Sequence, residues 1–277
     1  NTAQMDAVLK EYLRTCGWNL REMIAGGAKD KAVRAQKVED LKGVYRILAL
    51  CMGEPPAEFT WRYKTASGEV KSITTTPLEF YKGIIPENYN PDTFIMIMND
   101  PTREYYKVYE IEYDRHVYDG QNWRFLNLPM NEIADMAIAS IKDSTNMYFS
   151  CDVGKFLDRE TGYMDINNFD YGSLFGTTFN MDKKQRIATF ASGSTHAMTL
   201  CAVDLDKDGK PLKWMVENSW GSKYGHNGFL IMTNEWFNEY MFRLVVESKY
   251  IPAATLKLFD QKPIMLPAWD PLFAPEE

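Results

Sequence analysis

A hairpin signal between residues 194 and 229 constrains the fold of this chain more than any other feature. Two apolar runs, 197–205 and 212–220, flank the polar turn Asp206-Lys207-Asp208-Gly209, and Asp-Gly between such runs is typical of a β-hairpin. A turn centred on Lys207 sets His196 opposite Asn218. Directly opposed residues carry Cβ atoms about 4.5–5.5 Å apart on one face of a sheet, so an amide oxygen can orient an imidazole ring.

The alternation of side chains along the two strands predicts which residues share a face with this pair. His196 and Asn218 share their face with four apolar residues, namely Met198, Leu200, Trp214 and Val216. The opposite face carries Thr199, Cys201, Val203, Met215 and Glu217. On the hairpin alone two interpretations stay open: a core histidine satisfied by a neighbouring amide, or a functional pair at a strand end.

A longer string around the asparagine favours the functional interpretation. Residues 216–229 read V-E-N-S-W-G-S-K-Y-G-H-N-G-F, which resembles the asparagine signature of papain-like cysteine peptidases, and H-A-M at 196–198 resembles their histidine strand. Four further matches narrow the resemblance to the bleomycin hydrolase and aminopeptidase C family, over the C-terminal part of such a protein. They are I-L-A-L-C-M-G-E-P-P-A-E-F-T-W (47–61), S-C-D-V-G-K-F (150–156), S-L-F-G-T-T-F-N-M (173–181) and L-P-A-W-D-P (266–271).

The resemblance implies a mechanism and a set of site residues. In this family a cysteine thiolate attacks a peptide carbonyl, so His196 would hold the ion pair with the thiolate and later protonate the leaving amine. Asn218 would orient the imidazole ring, and Trp220 would shield the hydrogen bond between them from water. The reaction needs no cofactor.

None of the four cysteines of this chain fits the role of the nucleophile. Cys16 and Cys51 lie within or at the end of apolar helical patterns, where core packing is expected and the helix dipole does not favour a thiolate. Cys151 falls in a buried strand, and Cys201 faces away from His196. We therefore expect the nucleophile outside this chain, so that the chain alone is inactive, and the family resemblance implies that it lies on an N-terminal half of the protein. That the chain begins with Asn1 fits a fragment or a processed product.

Composition excludes several other classes of function. The 277 residues are 45% hydrophobic and 25% charged, with no apolar run of membrane-spanning length. A net charge of −7 argues against nucleic acid as the main partner. The cysteines lack the spacing of a zinc site. The string from Asp204 to Gly209 copies the start of a calcium loop, but Met215 stands where a bidentate glutamate is required. No metal site is therefore expected.

The C-terminal tail should form an extended arm. Prolines at 263, 267, 271 and 275 oppose a helix, and apolar residues between them could dock. By the family resemblance such an arm enters the active-site cleft and its terminal carboxylate, here that of Glu277, binds the amino group of the substrate.

The sequence as a whole predicts an α+β protein with the C-terminal portion of the papain-like fold. We expect a helical segment (1–55), a β-rich insertion (56–130), a half-barrel carrying the histidine and asparagine (131–262) and the arm (263–277). The expected function is the C-terminal part of a cytoplasmic cysteine aminopeptidase acting on peptides, a hexamer by resemblance. The alternative is a non-catalytic binding or assembly module that retains the barrel.

Overall fold

The computed structural model of the chain describes residues 2–86 and 89–270. Clustering of spatial contacts divides the chain into two compact units, residues 1–89 and 90–277, and each unit is described by itself. The structure does not test the four-part division inferred from the sequence, which stays a prediction. No helix of the described ranges is long and apolar enough to cross a membrane.

The first unit is a helical hairpin followed by a two-stranded antiparallel sheet and a short helix. The helices and strands of this unit are α1 (Ala3–Ala25), α2 (Asp30–Met52), β1 (Phe59–Lys64), β2 (Val70–Thr75) and α3 (Pro77–Ile84). Tyr12 of α1 packs so closely on Gly43 of α2 that a Cβ there would meet the tyrosine ring. Cys16 is buried as expected, but Cys51 is exposed. The expectation that Cys51 packs in a core is wrong because α2 buries none of its described side chains within this unit.

The second unit is built on one large mixed sheet. Its strands are β3 (Phe94–Met98), β4 (Lys107–Ile111), β5 (Arg124–Asn127), β6 (Met147–Cys151), β7 (Leu157–Asp158), β8 (Tyr163–Met164), β9 (His196–Leu205), β10 (Pro211–Glu217), β11 (Phe229–Thr233), β12 (Met241–Glu247) and β13 (Ile264–Leu266). The described strands follow the spatial order β13-β4-β5-β3-β12-β6-β9-β10-β11-β8-β7. The hairpin of β9 and β10 therefore lies inside the sheet, between β6 and β11.

In the described part of this unit, five α-helices accompany the sheet, with short 3₁₀ turns at 91–93, 248–250 and 257–260. The α-helices are α4 (Met130–Lys142), α5 (Tyr171–Phe175), α6 (Lys183–Ala188), α7 (Asn234–Tyr240) and α8 (Ala253–Leu256). Trp214 of β10 stacks on Phe237 of α7 with ring centroids 4.5 Å apart, and both side chains are fully buried. This aromatic contact packs the hairpin against α7 and so supports strand β10.

A buried lysine ties the segment before β9 to this core. Lys183 donates from Nζ to the carbonyl oxygens of Met241 at 2.5 Å and Asn238 at 3.3 Å, at the C-terminal end of α7. Burial lowers the pKa of Lys183 to about 7, while the charges of Glu239 and Asp100 oppose that shift. The ammonium thus satisfies main-chain acceptors at a helix end, where a cation is favoured.

The C-terminal arm docks as far as it is described. Residues 264–266 pair in parallel with β4, and Leu266 is buried. The carboxylate of Asp270 accepts from the guanidinium of Arg103 at 2.5–2.6 Å, and Arg103 also donates to the fully buried Asp100 at 2.7 Å. Glu277, expected to bind the substrate amino group, lies outside the described residues.

Candidate active site

The hairpin forms where the sequence predicts it, but its register differs from the prediction. The turn contains a three-residue loop, Lys207–Gly209, with Gly209 at φ 80°, and Asp206 Oδ1 accepts from the amides of Asp208 and Lys210. This geometry centres the hairpin on Asp208 rather than Lys207. Asp206 therefore acts as a turn residue, not as the start of a calcium loop.

Two irregularities then shift the pairing of β9 with β10. Leu205 pairs with Pro211, Trp214 with Val203, and Val216 with Leu200, so Leu212 and Cys201 are extra residues on opposite strands. The prediction that Val203 lies on the face opposite Trp214 is wrong, because the bulge at Cys201 reverses the alternation beyond it. The Cys201 thiol donates to the carbonyl of Met215 at 3.3 Å.

His196 and Asn218 nevertheless meet. His196 Nε2 lies 2.8 Å from Asn218 Oδ1. In the register observed next to it, Asn218 would oppose Met198 rather than His196, so the pair is diagonal. Diagonal neighbours on one face are separated by about 7–8 Å between backbones, within reach of longer side chains. The predicted contact between the two side chains is confirmed, although the predicted register is not.

The hydrogen bonds of Asn218 identify the tautomer of His196. The atom 2.7 Å from the main-chain N–H of Ser219 must be the amide oxygen, because that N–H can only donate. The same oxygen faces His196 Nε2 and can only accept, so Nε2 carries a proton. In the neutral ring Nδ1 is therefore the free base. Within residues 2–86 and 89–270 no hydrogen bond to Nδ1 is formed.

Among the described residues, the side chain of Asn218 forms hydrogen bonds through its oxygen and not through its nitrogen. Its Nδ2 is buried and has no hydrogen-bond partner in the described part of the chain. An unsatisfied buried N–H costs about 1–3 kcal/mol. The main chain at this position is held by a bond from Asn218 N to the carbonyl of Gly228 at 3.0 Å.

The entry to β9 is held by a cluster of polar contacts that sequence patterns did not reveal. Ser192 Oγ donates to the buried carboxylate of Asp152 at 2.7 Å, and Ser194 Oγ donates to Ser150 Oγ at 3.0 Å. The amide of Thr195 donates to the carbonyl of Cys151 at 3.0 Å. These contacts position His196 at the first residue of its strand. The small polar residues from 192 to 195 were the available signal.

Trp220 packs beside the histidine as the resemblance implies. Its ring centroid lies 5.2 Å from that of His196, and 6.2 Å from that of Tyr224 in an edge-on contact. The loop that follows Asn218 contains three glycines at positive φ, including Gly225 at 56°. A Cβ on Gly225 would lie 2.4 Å from the carbonyl oxygen of Phe229, so glycine is required there.

Cys151 lies directly opposite His196 in the β6–β9 ladder, yet it is poorly suited to be a nucleophile. Its side chain is fully buried. Burial, with the nearby charge of Asp152, raises the pKa of its thiol well above the usual range. Burial also raises the pKa of Cys201, and Glu217 adds to the shift. Neither environment favours a thiolate at neutral pH.

An open cleft of about 580 Å³ borders the asparagine. Its walls include Tyr148, Ala197, Thr199, Glu217 and Asn218, which come from the outer surface of β6, β9 and the end of β10. Thr199 and Glu217 lie on the face of the hairpin opposite His196, and His196 does not line this cleft. The site itself combines a base, its orienting amide and an aromatic shield, an arrangement that can accept and return a proton.

Known proteins resemble this chain over almost its whole length. The sequence model of the Peptidase C1-like family matches residues 1–273. The chain belongs to the Peptidase C1-like family. It is 38% identical to human bleomycin hydrolase over 99% of the chain and 61% of that protein, and 34% identical to aminopeptidase C of Streptococcus thermophilus over 98% of the chain and 61% of that protein.

A solved structure extends the agreement to the Peptidase C1-like fold. The crystal structure of PepW from Lactobacillus rhamnosis HN001 superposes with a TM-score of 0.91 at 35% identity, covering 99% of this chain and 62% of that one. The predicted α+β, papain-like fold class is confirmed. The chain spans about 61% of the length of the curated relatives that it matches.

Proposed function

We propose that this chain is the C-terminal part of a cysteine aminopeptidase and supplies the histidine-bearing wall of its active site. The observation that carries the proposal is the 2.8 Å contact of His196 Nε2 with Asn218 Oδ1. This contact leaves Nδ1 free to take the proton of a thiol. Membership of a peptidase family and likeness to bleomycin hydrolases and aminopeptidases C support the reaction class.

In the proposed reaction a cysteine thiolate attacks the carbonyl carbon of a peptide bond. His196 accepts the thiol proton at Nδ1 and later donates it to the leaving amine, while Asn218 keeps the ring oriented through Nε2. Trp220 covers the hydrogen bond between them and reduces its exposure to water. The thioester that forms is then hydrolysed by water with His196 again as base.

We propose that the nucleophile lies outside this chain. The thiols of Cys151 and Cys201 both have raised pKa values, and Cys151 is enclosed in the core. Cys16 is buried within α1 and Cys51 lies in the last turn of α2, where the negative end of the helix dipole disfavours a thiolate. A partner segment bearing the nucleophilic cysteine would complete the site.

By likeness to the same relatives we further propose a cytoplasmic protein that acts on peptides, assembles as a hexamer and uses the carboxylate of Glu277 to bind the substrate amino group. The docking of residues 264–266 on β4 and of Asp270 on Arg103 supports a C-terminal arm that packs on the protein. Sedimentation of the complete protein would measure the number of subunits.

The test uses the complete protein encoded by the reading frame that contains this chain. Peptides with a free amino terminus and their N-acetylated counterparts are assayed, and iodoacetamide labelling with mass spectrometry locates the reactive thiol. We expect cleavage of the free peptides, loss of cleavage in His196→Gln, and a label outside residues 1–277. Labelling of Cys151 as the reactive thiol would contradict the proposed location of the nucleophile. No cleavage by the wild-type protein would favour a non-catalytic binding or assembly module.

A further inference from the structure

An exposed arginine lies next to the histidine on a loop that the reaction described above does not use. Arg159 belongs to the turn between β7 and β8 and is exposed. Its guanidinium carbon lies 5.8 Å from the ring centroid of Trp220, in a cation–π contact. The Trp220 centroid lies 5.2 Å from that of His196. Because both distances are measured from the Trp220 ring centroid, the guanidinium can be no more than about 11 Å from the centre of the imidazole.

The loop that carries Arg159 is rigidly built. Asp158 Oδ1 accepts from the amides of Glu160 and Thr161, and Asp158 Oδ2 accepts from Thr161 Oγ1 at 2.7 Å. These bonds lower the pKa of Asp158, the Thr161 hydroxyl contributing most. The carboxylate of Asp158 is thus used by its own loop.

Two glycines lock this loop against the loop that follows Asn218. A Cβ on Gly162 would lie 2.4 Å from the Cα of Gly225, and Gly162 has φ 73°. The main chains therefore meet at a distance that no other residue allows. This contact holds the main chain of the loop that carries Arg159 against the loop that carries Trp220.

Arg159 is not held by an acidic side chain of the described residues. Among residues 2–86 and 89–270, none forms an ion pair with it. A guanidinium held in place beside a reaction centre and lacking a partner is suited to bind a carboxylate of a ligand, often with two parallel N–H···O bonds. Lys223, on the neighbouring loop, adds a second exposed positive charge.

The side of the scissile bond follows from the chemistry of the histidine. His196 must lie next to the leaving amine because it returns the proton to that nitrogen. Because Trp220 contacts His196 and Arg159 contacts Trp220, both residues belong to the histidine wall, which faces the leaving amine and the residues that follow it in the substrate. With at most about 11 Å between the guanidinium and the imidazole, Arg159 is within reach of the first or second residue after the scissile bond, since an extended chain spans about 3.3–3.6 Å per residue.

Resting on the peptidase function proposed above, we propose that Arg159 binds a substrate carboxylate on the leaving-group side and gives the enzyme a preference for acidic groups there. That carboxylate is either an acidic side chain one or two residues after the scissile bond or the free α-carboxylate of a dipeptide. Both sources present the same planar anion to the guanidinium, and Trp220 provides the surface on which the pair lies.

The experiment compares matched peptides with the complete protein and its Arg159→Gln, Arg159→Lys and Lys223→Gln variants. One arm uses C-terminally amidated peptides with Glu or Gln directly after the scissile bond. The other uses dipeptides with a free or an amidated C terminus. We expect kcat/KM of the wild type to favour the charged member by about two- to five-fold, the effect of one solvent-exposed ion pair. The arm that shows the preference identifies the source of the carboxylate.

Arg159→Gln should abolish this preference while leaving cleavage of the neutral peptides within about two-fold, and Arg159→Lys should keep part of it. Raising the ionic strength to about 0.5 M should reduce the preference in the wild type, because added salt screens the attraction between solvent-exposed charges. An equal loss in Lys223→Gln would assign the effect to general surface charge and overturn the role of Arg159. So would equal rates on charged and neutral peptides in both arms. Absence of cleavage by the wild type on every peptide would instead contradict the proposed function.

Discussion

Replacing Asn218 by alanine tests the central claim that its amide oxygen selects the tautomer of His196. The change removes the acceptor that lies 2.8 Å from Nε2 and leaves the main-chain bond from residue 218 to Gly228 in place. Without that acceptor the imidazole can rotate or carry its proton on Nδ1. A ring protonated only at Nδ1 cannot accept the proton of a thiol from that side.

The magnitude follows from the charge of the ring at each step. A hydrogen bond from a neutral imidazole contributes about 0.5–1.5 kcal/mol, and one from an imidazolium about 1.5–3 kcal/mol. Because the ring is charged when it holds the ion pair and when it protonates the amine, the second range applies. We therefore expect kcat/KM to fall by about 10- to 150-fold in Asn218→Ala. Folding should be little affected, because the variant also removes the buried, unsatisfied Nδ2.

The assay measures kcat/KM of the complete protein on a free-amino-terminus peptide, normalised to the amount of titratable active-site thiol. Nitrogen-15 NMR of the imidazole reports which ring nitrogen carries the proton. Asn146→Ala is the matched control, since Asn146 is exposed in the connection before β6. Asn218→Ala with at least half of the wild-type rate would refute the reasoning. An unchanged nitrogen-15 signature would do the same, since the ring would then owe its orientation to other contacts.

Three further predictions concern the surroundings of the site. Gly225→Ala should lower the free energy of unfolding by about 2–4 kcal/mol, because the added Cβ would meet the Phe229 carbonyl oxygen at a position of positive φ. Denaturant unfolding measures this change. Gly154→Ala is the control and should change the free energy of unfolding little, since no atom lies within 4 Å of a Cβ there. Cys151→Ala should retain kcat/KM within about three-fold, and loss of all activity in a folded variant would contradict this. In the native wild type the Cys151 thiol should react slowly with a disulfide reagent, because burial raises its pKa. Lys183 has a folded-state pKa of about 7 and an ordinary value of 10.5, so the unfolded state binds more protons between these values. The free energy of unfolding should therefore rise by up to about 5 kcal/mol from pH 7 to 10.5, and Lys183→Met should flatten the rise in pH-dependent denaturation curves.

Periodic patterns and turn residues predicted the longer elements of the fold. Helical spacing of apolar residues is visible in the sequences of α1, α2 and α4, and Thr76 followed by a proline is a start signal for α3, whose first turn is capped by Thr76 Oγ1. The short elements between 154 and 194 carry no such apolar spacing. Two-residue strands such as β7 and the five-residue α5 carry too few positions for a period to be visible, so only tertiary contacts define them.

The candidate site was predictable in its side chains and less so in its supports. Asn218 and Trp220 stand in a spaced signature that a single sequence can show. Asp152 does not, because its bond to Ser192 joins residues 40 positions apart. Arg159 has no sequence signal for the same reason. Its contact with Trp220 depends on the packing of two loops, and the residues next to it in sequence do not indicate that contact.

The predicted register was wrong, yet it predicted the His196–Asn218 contact correctly, because the two registers differ by an even number of residues. The observed pairing at Val216 and Leu200 differs from the predicted one by two residues, and a shift of two returns every side chain to the same face. A shift of one, as at the Cys201 bulge, reverses the face and misplaces Val203. Which residues share a face is therefore a safer inference from sequence than which residues are directly opposed. For a pair with long side chains the face is sufficient, because a diagonal neighbour can still be reached and the amide of Ser219 turns the Asn218 oxygen toward the ring.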